Sequence, residues 1–70
     1  MKKEFILHSD YIELIKLLKL LGVVKTGGIA KILVEEGKVL VNGKTETKKR
    51  CKLRFGDVVD VLGTTIQITK

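Results

Sequence analysis

The chain is predicted to adopt an α+β fold, on three observations. Two short apolar segments with helical spacing each end on a glycine, an Asn-Gly pair is flanked by alternating valines, and further strand-like runs follow toward the C-terminus. With 70 residues there is surface for one core only, so residues 1–70 are read as a single domain. Apolar residues make up 44% of the chain and proline is absent, a composition that folds rather than staying disordered.

Taken in order, KEFILH has the alternation of a strand, with Phe5 and Leu7 on one side and Glu4 and Ile6 on the other. A first helix follows. Asp10 and Glu13 have the spacing of a capping box, while Tyr11, Leu14, Ile15, Leu18 and Leu21 recur at helical intervals before Gly22 supplies a left-handed stop. After Val23-Val24-Lys25, Thr26 is placed to cap a second helix, GGIAKILVEE, with Ile29, Ile32 and Leu33 inward and Gly37 at its end. The two helices are expected to form a hairpin. KVLV and KTE then flank Asn42-Gly43, a pair that accepts the positive φ angles of a type I′ turn, and Val39 and Val41 share the core face. The segment TKKRCKLR is too charged for a buried central strand. Gly56-Asp57 marks a turn, VVDVL a strand, Gly63-Thr64-Thr65 another turn and IQIT a last strand.

Fourteen Lys and Arg oppose eight Asp and Glu, a formal charge of +6 that favours anionic partners, nucleic acid first and an anionic membrane surface second. Glu13, Lys16 and Lys19 interrupt the apolar run YIELIKLLKLLGVV, which is therefore expected to remain in water and not to enter a membrane. Cys51 is the one cysteine, which excludes an internal disulfide framework or a cysteine-clustered zinc site and suits the reducing cytoplasm. No metal, cofactor or small-molecule substrate is expected.

Two constellations concentrate the charge. At KTGGIAK, a helix N-terminus exposes backbone N–H donors, Gly27 and Gly28 leave room for a phosphate, and Lys25 and Lys31 flank the spot. The competing explanation is that Thr26 simply caps a helix and the glycines relieve crowding. The second constellation is Lys38, Lys44, Lys48, Lys49, Arg50, Lys52 and Arg54, with Glu46 as the one opposing acid; such crowding is unfavourable unless a polyanion relieves it. Asn42 is explained by its turn. His8, the single histidine, lacks the companions of a general base, so catalysis is not expected. Phe5, Tyr11 and Phe55 all lie in apolar patterns, which disfavours stacking on a row of unpaired bases and favours a structured nucleic acid met through its backbone.

Leu14, Leu18 and Gly22, then Thr26, Ala30, Lys31 and Leu33, then EEGKVLVNGK and FGDVV together resemble the S-four RNA-binding domain, the alpha-L domain named after ribosomal small-subunit protein four. The glycine pair after Thr26 and the run TKKRCKL resemble its stand-alone bacterial branch, the YbcJ-like or YaaA-like proteins. The resemblance implies an alpha-L fold, a helix hairpin packed on a small bent, mostly antiparallel sheet, with RNA against the helices and the hairpin loop. It places the helix-two entry on Thr26, Gly27 and Gly28, a basic position on Lys31 and the hairpin polar positions on Asn42 and Lys44. Two departures stand out: Glu13-Leu14-Ile15 where many relatives have Arg-Leu-Asp, and Gly27 where an arginine is usual.

The expected activity is non-catalytic binding of structured RNA, ribosomal or otherwise folded, by a cytoplasmic monomer. The expected RNA-binding residues are Lys25, Thr26, Gly27, Gly28, Lys31 and Lys38, with Asn42, Lys44, Lys48, Lys49, Arg50 and Lys52. An adaptor that docks an acidic protein partner is the alternative. Pseudouridine synthases carry such a domain as an appendage, but a chain of this length has no room for their catalytic domain.

Overall fold

The computed structural model describes residues 1–48 and 50–70; Lys49, one of the expected RNA-binding residues, lies outside the described residues. The chain forms β1 (Lys2–Ile6), β2 (Ile12–Glu13), α1 (Leu14–Leu20), α2 (Gly27–Glu35), β3 (Val39–Val41), β4 (Lys44–Thr45), β5 (Lys52–Leu53), β6 (Val58–Val61) and β7 (Thr64–Thr69). Five strands make one mixed sheet in the order β1-β7-β6-β3-β4, in which β1 and β7 run parallel and the other neighbours antiparallel. The remaining two, β2 and β5, pair antiparallel with each other, Ile12 opposite Leu53 and Glu13 opposite Lys52. This is the α+β architecture expected.

The core is built by period. Leu14, Leu17 and Leu18 from α1 and Ala30, Leu33 and Val34 from α2 meet Val39, Val59, Val61, Ile66 and Ile68 from the sheet, and Leu53 closes the cluster from β5. Both helices end in the paired hydrogen bonds of a Schellman motif. Gly22 and Gly37 each take φ of +72°, with Val23 N–H donating to the Leu18 carbonyl and Lys38 N–H to that of Leu33. At the hairpin, Asn42 and Gly43 take φ of +52° and +82°, as the type I′ reading requires.

Four details depart from the sequence reading. Asp10 is not an N-cap: α1 begins at Leu14, because Ile12 and Glu13 are held extended against β5 and Leu14 N–H donates to the Cys51 carbonyl at 2.9 Å. Tyr11 therefore lies outside the helix and is exposed. On α2, Ile29 and Ile32 point outward, since the sheet and α1 cover the face carrying Ala30, Leu33 and Val34. The third is TKKRCKLR, which is no central strand but still gives Leu53 to the core, fully buried among charged neighbours. Finally, the turn before β7 is Leu62-Gly63, both at positive φ, and Thr64 and Thr65 already pair with β6.

Asn42 does more than turn the chain. Its amide donates to Asp57 Oδ1 at 3.0 Å and its carbonyl oxygen accepts from Val58 N–H at 2.9 Å, while Asp57 Oδ2 accepts from Arg54 N–H at 2.8 Å. The side chain thus ties two turns together across fifteen residues of sequence. Asn42→Ala strands the Val58 amide and places a residue poorly suited to positive φ, so it should lower unfolding free energy by about 2 kcal/mol in urea titrations. A change below about 0.5 kcal/mol would show that water replaces these bonds without penalty.

Candidate nucleic-acid interface

Helical spacing dictates what the two helices leave outside the core. On α1, Leu14, Leu17 and Leu18 face inward, so Ile15 and Lys19 lie on one flank, Leu20 on the other, and Lys16 on the crest between them. On α2, Gly27 and Lys31 are four residues apart and share a flank, with Ile29 and Ile32 on the far side. The helix hairpin turns the Ile15–Lys19 flank of α1 toward the Gly27–Lys31 flank of α2. Between them runs an open groove of about 670 Å³ whose charged lining is Lys16, Lys19, Lys31, Arg50 and Glu13.

Four cations against one carboxylate make this groove strongly electropositive, and the carboxylate is partly engaged, Glu13 Oε2 standing 3.8 Å from Arg50 Nε. The β2–β5 pairing delivers Arg50, because it holds the charged segment beside the start of α1. Upstream, Glu46 shapes the approach. Its carboxylate accepts from Lys48 N–H at 2.9 Å, a bond that lowers its pKa, and the nearby Cys51 thiol acts in the same direction. Burial, then that contact with Glu46, pushes the Cys51 pKa up to about 11. The thiol is thus protonated and non-nucleophilic at neutral pH, and its support for folding is complete below the usual thiol range and lost as pH rises through about 11.

At the head of α2, Thr26 Oγ1 accepts from Ile29 N–H at 3.2 Å and the Thr26 carbonyl accepts from Ala30 N–H at 3.3 Å. The amides of Gly27 and Gly28 belong to the first turn, ahead of the first N–H that finds an intrahelical carbonyl, and lie at the helix end beside the groove. Neither glycine is demanded by the fold. Their backbones are not at positive φ, and an added Cβ would meet only Ile15 Cγ2 at 3.6 Å or Thr26 Oγ1 at 3.7 Å, ordinary van der Waals distances. Relief of crowding therefore does not explain the pair.

The structure brings together Gly27, Lys31 and Arg50 from the expected set, with Lys25, Thr26 and Gly28 next to them along the chain and Lys52 facing Glu13 across the β2–β5 ladder. Lys48 leads into this segment, its carbonyl accepting from Cys51 N–H. Lys38, Asn42 and Lys44 do not line the groove: Lys38 follows the opposite end of α2, about 12 Å along its axis, and its ammonium stands 3.8 Å from Glu36. Lys16 and Lys19 are additions to the expected set, although their three-residue steps from Glu13 mark one helix side. The aromatics also differ from expectation. Tyr11 and Phe55 are exposed and carry cations over their rings, Lys52 Nζ 4.8 Å and Arg54 Cζ 5.8 Å from the Tyr11 centroid and Lys70 Nζ 5.0 Å from that of Phe55. Among the described residues no three His, Cys, Asp or Glu gather as a metal site, and no helix is long and apolar enough to cross a membrane.

Comparison with known proteins matches residues 5–69 to the model of the S4 domain. The chain belongs to the S4 domain family. Among the relatives of this S4 chain is YbcJ of Escherichia coli strain K12, named as a candidate RNA-binding protein, 45% identical over 58 residues that span 83% of each chain. RlbA of Bacillus subtilis strain 168, named as a candidate ribosome maturation protein, is 39% identical over 57 residues, 81% of this chain and 80% of its own. The solution structure of E. coli YbcJ, described as an alpha-L motif involved in RNA binding, superposes with a TM-score of 0.74 at 41% identity, covering 96% of this chain and 86% of that one.

The space around the glycine pair of this S4 chain leads to a stability prediction. Because Cβ atoms fit at both sites and alanine favours helix over glycine, Gly27→Ala and Gly28→Ala should melt at or above the parent temperature in calorimetry. A destabilisation exceeding about 1 kcal/mol in either variant would return the pair to a packing role.

Proposed function

We propose that this chain binds folded RNA, with ribosomal RNA the leading class, as a cytoplasmic monomer that makes and breaks no covalent bond. The observation that carries this reading is the groove between α1 and α2, where Lys16, Lys19, Lys31 and Arg50 converge beside the first-turn amides of Gly27 and Gly28. Cations in such a groove neutralise phosphates and release condensed counterions, while backbone N–H groups donate to a phosphate oxygen where no side chain stands in the way. The names of the relatives, one for RNA binding and one for ribosome maturation, support the same partner class.

The groove's shape supports folded RNA over an extended single strand. It is short, bounded by two helices and one braced loop, and among the described residues that line it none is an aromatic on which successive bases could stack. Phosphates of a duplex-like target therefore supply the affinity, with Lys25, Lys48 and Lys52 on the margin. The Cys51 thiol, held protonated, fits a role without covalent chemistry, and His8 is exposed beyond the end of β1.

Titration of a folded RNA at several salt concentrations tests the proposal. With about five phosphates neutralised, log Kd against log salt should rise with a slope of about 4.5. Lys16→Glu combined with Lys31→Glu should weaken binding on the order of 100-fold and flatten that slope, with little change in melting because exposed charges contribute little to stability. Lys2→Glu with Lys3→Glu, on the edge strand β1, should weaken it less than about fivefold. Salt-independent binding, or equal weakening from both double variants, would contradict a groove-centred phosphate site.

A further inference from the structure

A second hollow, of about 420 Å³, lies on the other flank of α1, against the end of β1 and the segment leading into β2. It is differently made from the groove. Phe5, Leu7 and Ile12 give it apolar walls, exposed Tyr11 and Leu20 stand at its rim, and His8 and Ser9 are the polar groups after β1. Glu13 and Lys16 border both hollow and groove, so the two adjoin across the start of α1.

We propose that this hollow receives an unpaired nucleobase, swung out of the RNA whose phosphates occupy the groove; the inference rests on that reading of the groove. Three features favour a base over another occupant. The hollow is large enough for a planar heterocycle and offers an aromatic ring with apolar walls, surroundings that shield an unstacked base from water as its neighbours in a helix would. Tyr11 has cations over its ring, Lys52 at 4.8 Å and Arg54 at 5.8 Å from the centroid, so phosphates flanking an extruded nucleotide would meet positive charge on that side too. Glu13 at the junction repels a phosphate but accepts from the N–H groups of a base edge, which explains a carboxylate amid cations.

This assignment also accounts for the exposure of both Tyr11 and Leu20 at the rim of one hollow, on a chain with few aromatics. One base held this way differs from a row of stacked bases along a single strand. Folded RNA with a bulge or an internal loop supplies such a base next to a continuous backbone.

The test compares three versions of one RNA hairpin: fully paired, carrying a single bulged guanosine, and carrying an abasic nucleotide at the same bulge. The abasic form keeps every phosphate and lacks only the base. The bulged guanosine should bind on the order of tenfold tighter than the abasic form, and Tyr11→Ala should remove most of that difference while leaving the salt slope on paired RNA unchanged. Equal binding of guanosine and abasic bulges, with the salt dependence intact, would overturn the base site and leave the groove standing. If none of the three RNAs binds in a salt-dependent way, both readings fall.

Discussion

A ladder of two residue pairs, Ile12 with Leu53 and Glu13 with Lys52, is the constraint on which the rest of the molecule depends. It sets where α1 starts, by keeping Ile12 and Glu13 extended and giving the Leu14 amide an acceptor in Cys51. The same pairing draws fully buried Leu53 into the core from a segment otherwise made largely of charged residues. With Leu53 buried, Lys52 is paired opposite Glu13 and Arg50 lies two residues upstream, its Nε 3.8 Å from Glu13 Oε2. Electrostatic repulsion among the cations opposes this arrangement, and apolar burial of one leucine and one isoleucine holds it in place.

Three of the eight acids accept from backbone amides or neutral side chains rather than standing against the cations. Asp57 accepts from the Asn42 side chain and the Arg54 amide, Glu46 from the Lys48 amide, and Asp60 from the Thr65 hydroxyl at 2.6 Å. Each of these carboxylates braces a turn or a strand pair. The groove between the helices is lined by Lys16, Lys19 and Lys31, and among the described residues that line it Glu13 is the one acid. With Arg50, the groove thus carries four cations against one acid, on a molecule of net charge +6 with a Cα radius of gyration of 10.6 Å.

Much of the fold is legible in the sequence because its signals are local. Gly22, Gly37 and Asn42-Gly43 take the backbone conformations that their residue types prefer, and Thr26 caps α2 as its position suggests. What escapes is long-range or short in extent. A two-residue strand such as β5 carries no period, and the parallel pairing of β1 with β7 joins the two ends of the chain. Ile29 and Ile32 mislead because apolar spacing cannot say which of two apolar flanks the sheet will cover. At the candidate site, Gly27, Lys31 and Arg50 are legible as charge and missing side chains, whereas Lys16 and Lys19 look like the solvated side of an amphipathic helix. Tyr11 is hidden by the displaced helix start, which puts a ring expected on a helix face at the rim of a hollow.

The central claim is that one groove, flanked by the two helices and braced by β5, is where a polyanion docks. Amide NMR shifts followed during titration with a folded RNA address it directly, since every residue concerned has a reporting N–H. The account predicts the largest changes at Gly27, Gly28 and Lys31, with Lys16, Lys19 and Arg50 following, and little movement along Lys2, Lys3 and Glu4. Changes concentrated on the β1 edge or the Asn42 turn, with the Gly27 and Gly28 amides unmoved, would contradict it.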